Sequence, residues 1–179
     1  AEAWAGKGGK VLLSGEAADE LFAGYDRIYS WALNEKKFDV LKFLSLYAYL
    51  PVEDINEDIL DSVSNFFLEL EPLSNFEKVR QFFIKKHLPV LFRRLDFSLM
   101  YSGIEGREPF AATEVLKIAL NINPKDLFND SLGKYPLRSI TREYLGEEFA
   151  FMPKVGFPID IEKIINGKES KSRLDNYLA

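Results

Sequence analysis

KVLLSGEAADELFAGY, residues 10–25, decides how this chain folds. Val11 to Leu13 is a continuous apolar run, which reads as a short strand buried on both faces. Ser14-Gly15 makes a turn, and from Ala17 the pattern reads as helix through about Leu33. Glu16, Asp19 and Glu20 thus fall in one turn after the strand. A helix N-terminus exposes unpaired N–H groups and about half a positive charge, so it attracts anions. Acidic side chains there are good capping chemistry, worth about 0.3–1 kcal/mol, and capping is the simpler account of the turn taken alone. The number of carboxylates weakens it, and so does Gly15, which lets a ligand approach the backbone. The end of a strand is also where α/β sheets bind ligands. Oxygen donors there suit Mg²⁺, which takes one or two carboxylates plus substrate phosphates.

Beyond this unit the chain reads as helices. Val40, Leu41, Phe43, Leu44 and Tyr47 lie in an apolar helix from Phe38 to Leu50 that stops at Pro51. Ile55, Ile59, Val63, Phe67 and Leu70 recur at helical spacing and form one amphipathic face before Pro72. Ser74 with Glu77 is a capping box. The helix it starts carries Phe76, Val79, Phe83 and His87 and must kink or restart at Pro89. Thr113 caps the run Val115–Leu120, and Tyr135 to Leu145 is a helix closed by Gly146. Glu105 and Arg107, two apart, share a face if the segment is extended and form a structural ion pair across the 102–110 loop. Lys134, Arg138 and Arg142 make a basic stripe that either meets an anion such as pyrophosphate or faces solvent. His87 reads as a packed or half-exposed helix residue.

Composition narrows the classes. The chain has 179 residues, 47% of them hydrophobic, with 15 Phe, enough for one domain with a real core. Its net charge of −5 argues against a general nucleic-acid binder. Absence of cysteine removes disulfides and thiolate sites, and a single histidine removes His-rich metal cages. No apolar run approaches the roughly 20 residues of a membrane span, and no signal peptide is visible, so the expected compartment is the cytoplasm. The opening AEAWAGKGGKVLLS reads as the last turns of a helix, a glycine stop and a strand, with no initiator Met, which suggests a fragment.

Three blocks carry a resemblance. Ser14-Gly15-Glu16-x-x-Asp19-Glu20-Leu21-Phe22-x-Gly24-Tyr25 resembles the S-G-E-G-A-D-E-L-F-G-G-Y signature of the asparagine synthetase synthase domain. LPVLFRRLDFSLMYSGIEGREPF is similar to the family's second stretch at Leu88, Pro89, Asp96, Met100, Glu105, Arg107, Pro109 and Phe110. GKYPLR and MPKVGFP resemble its K-Y-x-L-R and R-x-K-x-G-F segments at Lys134, Tyr135, Leu137, Arg138, Lys154, Gly156 and Phe157. The blocks follow the family's order and span residues 10 to 158.

The resemblance implies a parent α/β fold, the parallel sheet of the adenine nucleotide α-hydrolase type, of which this chain supplies a predominantly α-helical part with about one strand. It implies ATP-dependent amide formation: a carboxylate such as that of aspartate attacks the α-phosphate, pyrophosphate leaves, and ammonia or another amine displaces AMP. ATP and Mg²⁺ are the implied cofactors. The resemblance implies that Asp19 holds the metal and that Glu16 and Lys154 are catalytic. It implies that Ser14, Gly15, Glu16, Lys134 and Arg138 bind substrate or nucleotide. The implied partners are these small molecules, with no nucleic acid and no membrane, leaving room for a homodimer.

Departures from the family pattern are Ala17 and Ala23 for Gly, Phe97 for Arg, Leu99 and Gly103 for Ser, Ala112 for Asp, and Met152 for Arg. They bear on the acceptor more than on the nucleotide chemistry. They leave open a relative that closes a β-lactam or amidates a sugar or peptide, or a helical interaction module without nucleotide chemistry. The family's phosphate loop, S-G-G-x-D-S, and its glutaminase cysteine do not occur in the chain. The expectation is therefore the carboxyl-terminal part of a synthase domain, inert alone.

Overall fold

The computed structural model describes residues 1–48 and 52–154. In chain order these form α1 (Glu2–Ala5), β1 (Val11–Leu13), α2 (Ala18–Leu21), α3 (Asp26–Asn34), α4 (Val40–Ala48), α5 (Glu57–Leu68), α6 (Asn75–Phe82), α7 (Leu88–Met100), β2 (Glu105–Arg107), α8 (Thr113–Asn121), α9 (Tyr135–Leu145) and α10 (Glu147–Ala150). The chain is mainly helical, with a single two-stranded sheet among the described residues. None of the described helices is long and apolar enough to cross a membrane.

The strands run parallel, with Val11 opposite Glu105, Leu12 opposite Gly106 and Leu13 opposite Arg107. Helices α2 to α7 therefore occupy one long crossover. The ladder continues past β1 into the acidic turn, where the Ser14 N–H donates to the Arg107 carbonyl at 2.9 Å. β2 has no apolar alternation. Gly106 is what lets α7 come near, since a Cβ there would lie 2.9 Å from the Leu99 side chain. Arg107 and Glu105 form the expected ion pair at 2.9 Å on exposed side chains. The strand is not buried on both faces, because Leu13 is 67% exposed.

The single helix expected from Ala17 to Leu33 is two helices. Phe22 ends α2, Ala23 takes a left-handed φ of 60°, and the Gly24 N–H turns back to the Asp19 carbonyl at 2.8 Å. The break is held from outside: the Lys134 N–H donates to the Phe22 carbonyl at 2.8 Å, and the Gly133 N–H to Asp26 Oδ1 at 2.9 Å. Tertiary contacts override propensity here.

Ser74 accepts the Glu77 N–H at 3.3 Å and starts α6, and Gly146, at φ 89°, closes α9, both as the sequence indicates. Two other boundaries differ. Ala112, not Thr113, is the N-cap of α8, and it offers no side-chain acceptor. Pro89 does not break its helix. It sits in the first turn of α7, which follows α6 through a π turn at Phe83–His87. Proline cannot give the N–H that α geometry would direct at the Lys85 carbonyl, so a wider turn passes it. The end of the helix expected to stop at Pro51 lies outside the described residues.

Aromatic rings fill the space between α3, α4, α5 and α6. Tyr29, Phe43 and Phe83 are fully buried, and pairs such as Phe43–Phe82 meet edge to face at 4.8 Å. Arg80, also buried, donates to the Ala119 carbonyl at 3.0 Å and ties α6 to the C-terminal end of α8.

Candidate functional site

The turn after β1 sends its three carboxylates to different surroundings. Ser14 Oγ accepts the Glu16 N–H at 3.2 Å, and Ala17, at φ 77°, swings the chain into α2. Glu16 pairs with Arg94 of α7 at 3.0 Å. Glu20 is 1% exposed and accepts the Tyr25 hydroxyl at 2.6 Å. Burial raises its pKa, against the Tyr25 hydrogen bond that lowers it.

Asp19 is the meeting point. Its Oδ1 lies 2.9 Å from Lys134 Nζ and 2.9 Å from Lys154 Nζ. Lys134 arrives because residues 133–134 clasp the Phe22–Asp26 turn, and its own φ of 59° aims it inward. Lys154 comes from the far side of α10, also touches the Gly24 carbonyl at 3.3 Å, and lies 5.0 Å over the Tyr25 ring. Burial works to raise the Asp19 pKa. The Lys154 and Lys134 ammonium groups outweigh it and hold the carboxyl below the ordinary carboxylate range.

Gly24 is a requirement of this packing. A Cβ there would fall 2.0 Å from Asp19 Oδ1 and 2.2 Å from Lys134 Cε. Gly15, by contrast, has nothing within 4 Å of such a Cβ and faces open space. Gly15, Gly24, Lys134, Arg138, Phe149 and Lys154 border a cavity of about 420 Å³. Arg138 spends Nε on the Gly133 carbonyl at 3.0 Å and Nη1 on Ala150 at 2.7 Å, so it braces the loop that delivers Lys134. Lys134 and Arg138 do not act as a solvent-facing stripe, whereas Arg142 is exposed.

Of the sequence-derived site residues, Asp19, Lys134 and Lys154 meet directly, Gly15 and Arg138 line the same cavity as the two lysines, and Ser14 and Glu16 are joined to each other, with Glu16 directed to Arg94 instead. The sequence placed Glu20 in the acidic turn but gave it no site role, and His87 read there only as a packed or half-exposed helix residue. The signal for Glu20 was a charge inside an otherwise apolar face, A-D-E-L-F. Among the described residues no group of three or more His, Asp or Glu could hold a metal. Asp19 is a single carboxylate whose Oδ1 already meets two ammonium groups, so a Mg²⁺ ion here would have to take its other ligands from substrate phosphates and water.

The family model for asparagine synthase matches residues 1–179. The chain belongs to the asparagine synthase family. No curated protein and no solved structure matches it. Asparagine synthase membership makes it part of an ATP-using ligase family. Several departures from the family pattern now have a structural place. Ala17 and Ala23, where the pattern has Gly, both have positive φ and are fully buried. Ala112, where it has Asp, is the uncapped N-cap of α8. These three sit on the backbone frame. Gly156 and Phe157 of the third block lie outside the described residues.

Proposed function

We propose that the chain is the carboxyl-terminal part of a synthase domain that forms an amide through an acyl-adenylate. The observation that carries this reading is the convergence of Lys134 and Lys154, from two segments of the third family block, on Asp19 beside Gly24 of the first. The substrate carboxylate attacks the α-phosphorus of ATP, the bond to the β-phosphate oxygen breaks, and pyrophosphate departs. Ammonia or an amine then attacks the acyl carbon, loses a proton, and AMP leaves. Aspartate is the acceptor, and ammonia comes from glutamine in the full-length protein.

Lys154 is a compact point charge with three donors, suited to charge that develops on phosphate. It is held by Asp19 but remains 48% exposed, so it can turn to a ligand. Lys134, also 2.9 Å from Asp19 Oδ1, is a second cation on that carboxylate. Glu16, anchored by Arg94, orients or deprotonates the incoming amine. Ser14 and Gly15 present the turn to nucleotide, with Arg138 at the cavity wall. Mg²⁺ held at Asp19 would supply Lewis acidity at the phosphates.

The test is carboxylate-dependent ATP–pyrophosphate exchange. The full-length gene product is expected to show it with aspartate. Lys154→Ala is expected to lower it by about 100-fold, the scale of losing one preorganised electrostatic group. The 179-residue chain alone is expected to show none. Exchange by the isolated chain, or full exchange in Lys154→Ala, would overturn the reading.

A further inference from the structure

Tyr25 ends the acidic turn and His87 lies in the π turn, yet their polar atoms meet across 62 residues. The Tyr25 hydroxyl donates to Glu20 Oε1 at 2.6 Å, which uses its only proton. Its remaining lone pairs can bond His87 Nε2, 3.3 Å away, only if that nitrogen is the donor. A neutral ring protonated at Nε2 has a lone pair at Nδ1, and the Tyr47 hydroxyl, at 2.7 Å, donates to it. Burial, then Arg94, lower the His87 pKa against an opposing pull from Glu16, which keeps the ring neutral. The chain therefore runs one way, from Tyr47 to His87 to Tyr25 to Glu20. Run backwards, Tyr25 would give its proton to His87 and the 2.6 Å contact with the buried Glu20 carboxylate would hold no hydrogen.

What this chain holds still is the Tyr25 ring. Phe83 stacks on it at 4.5 Å and 16°, and His87 meets it edge-on at 5.8 Å. Lys154 Nζ lies 5.0 Å from its centroid, and Lys154, Tyr25, Tyr47, Phe83 and His87 line one cavity of about 400 Å³. We infer that His87 is a positioning residue: the Tyr47–His87–Tyr25–Glu20 chain fixes the Tyr25 ring as the platform for the Lys154 ammonium, and so sets where that lysine presents its charge. The consequence for catalysis rests on the proposed role of Lys154; the placement itself does not.

His87 is the sole histidine, so long-range ¹H–¹⁵N NMR of the chain reads its tautomer without assignment ambiguity. The expected result is the Nε2–H tautomer at neutral pH, with the Lys154 ε-protons shifted upfield by the Tyr25 ring. His87→Gln, which keeps one acceptor and one donor, retains that shift, whereas His87→Leu and the milder Tyr47→Phe reduce it. In the full-length gene product His87→Leu lowers the kcat of exchange by roughly twofold to fivefold, the size of one partly solvated cation–π contact, and His87→Gln restores it. An Nδ1–H tautomer, a protonated ring, or a Lys154 shift identical in all variants would overturn the inference. If the spectra behave as expected but the wild-type protein shows no exchange, the proposed function fails while the positioning stands.

Discussion

Replacing Gly24 by Ala separates the site from the fold. Gly24 is not among the glycines with positive φ, so its backbone accepts alanine, and the obstacle is only what the new methyl meets. It would lie 2.0 Å from Asp19 Oδ1 and 2.2 Å from Lys134 Cε, against about 3.5 Å for a comfortable contact, so these atoms must retreat by about 1.5 Å. Both are ends of side chains and can swing away. The Asp19–Lys134 and Asp19–Lys154 contacts, now 2.9 Å, are then lost or lengthened. Partly exposed ion pairs contribute little, so the stability loss is about 1 kcal/mol, or about 2–4 °C in Tm. The functional loss is far larger, because about 1 Å of misplacement can reduce rate about 100-fold. A carboxyl-detected NMR titration follows Asp19 directly. Its pKa, held below the ordinary range by the two lysines, should move up in Gly24→Ala. Gly133→Ala is the contrasting control. Its methyl would lie 1.9 Å from the Ala23 carbonyl, which is backbone and cannot swing, and the expected cost is about 3 kcal/mol. An unchanged Asp19 titration in Gly24→Ala, or equal destabilisation by both variants, would refute the reasoning.

Three further outcomes follow from the backbone and from His87. Ala17→Gly and Ala23→Gly relieve a left-handed alanine worth about 1–2 kcal/mol but lose about 0.8 kcal/mol of methyl burial and about 0.4–1 kcal/mol of chain entropy, so both should be near neutral in urea unfolding. Ala119→Gly, equally buried but in α8, should lose about 1–2 kcal/mol, and equal losses at all three sites would contradict the assigned conformations. Ala112→Asp supplies α8 with the missing cap and should stabilise the chain by about 1 kcal/mol, read as a rise in Tm; no gain would argue against Ala112 as N-cap. The folded His87 has a pKa below its unfolded value, so on acidification the unfolded chain takes the proton first and stability falls as pH drops below about 6.5. Wild type should therefore lose stability relative to His87→Gln between about pH 7.5 and about pH 5.5, and a constant difference would refute the shift.

Features written in local chemistry were legible in the sequence. Ser74 with Glu77 starts α6 and Gly146 ends α9, because each needs only neighbouring residues, and the apolar run Val11–Leu13 marks a strand even though its partner is distant. Features imposed from elsewhere were not. Gly24 permits a break in Phe22-Ala23-Gly24-Tyr25, but the contacts that hold it come from residues 133–134. Glu105-Gly106-Arg107 becomes a strand only by pairing with β1 and admitting Leu99 over Gly106. Thr113 looks like a cap by composition, but the turn at Pro109–Ala111 places Ala112 there instead. For the candidate site, the first and third motif blocks identified Asp19, Lys134 and Lys154 one by one. Their convergence on a single carboxylate oxygen depends on the clasp, and the inward turn of Glu20 toward Tyr25 depends on the aromatic core beneath it.

That convergence also bears on the order in which the molecule assembles. The Lys154–Asp19 contact spans 135 residues and the Gly133–Asp26 contact spans 107. Loop closure grows more costly with length, although each doubling adds only about 0.6 kcal/mol, and contacts between neighbours form sooner. Helices such as α6 can nucleate on their own caps, whereas no stretch of the chain can build the lysine pair locally. Asp19 acquires its two cations only when the stretch from 133 to 154 returns across more than 100 residues to the turn after β1.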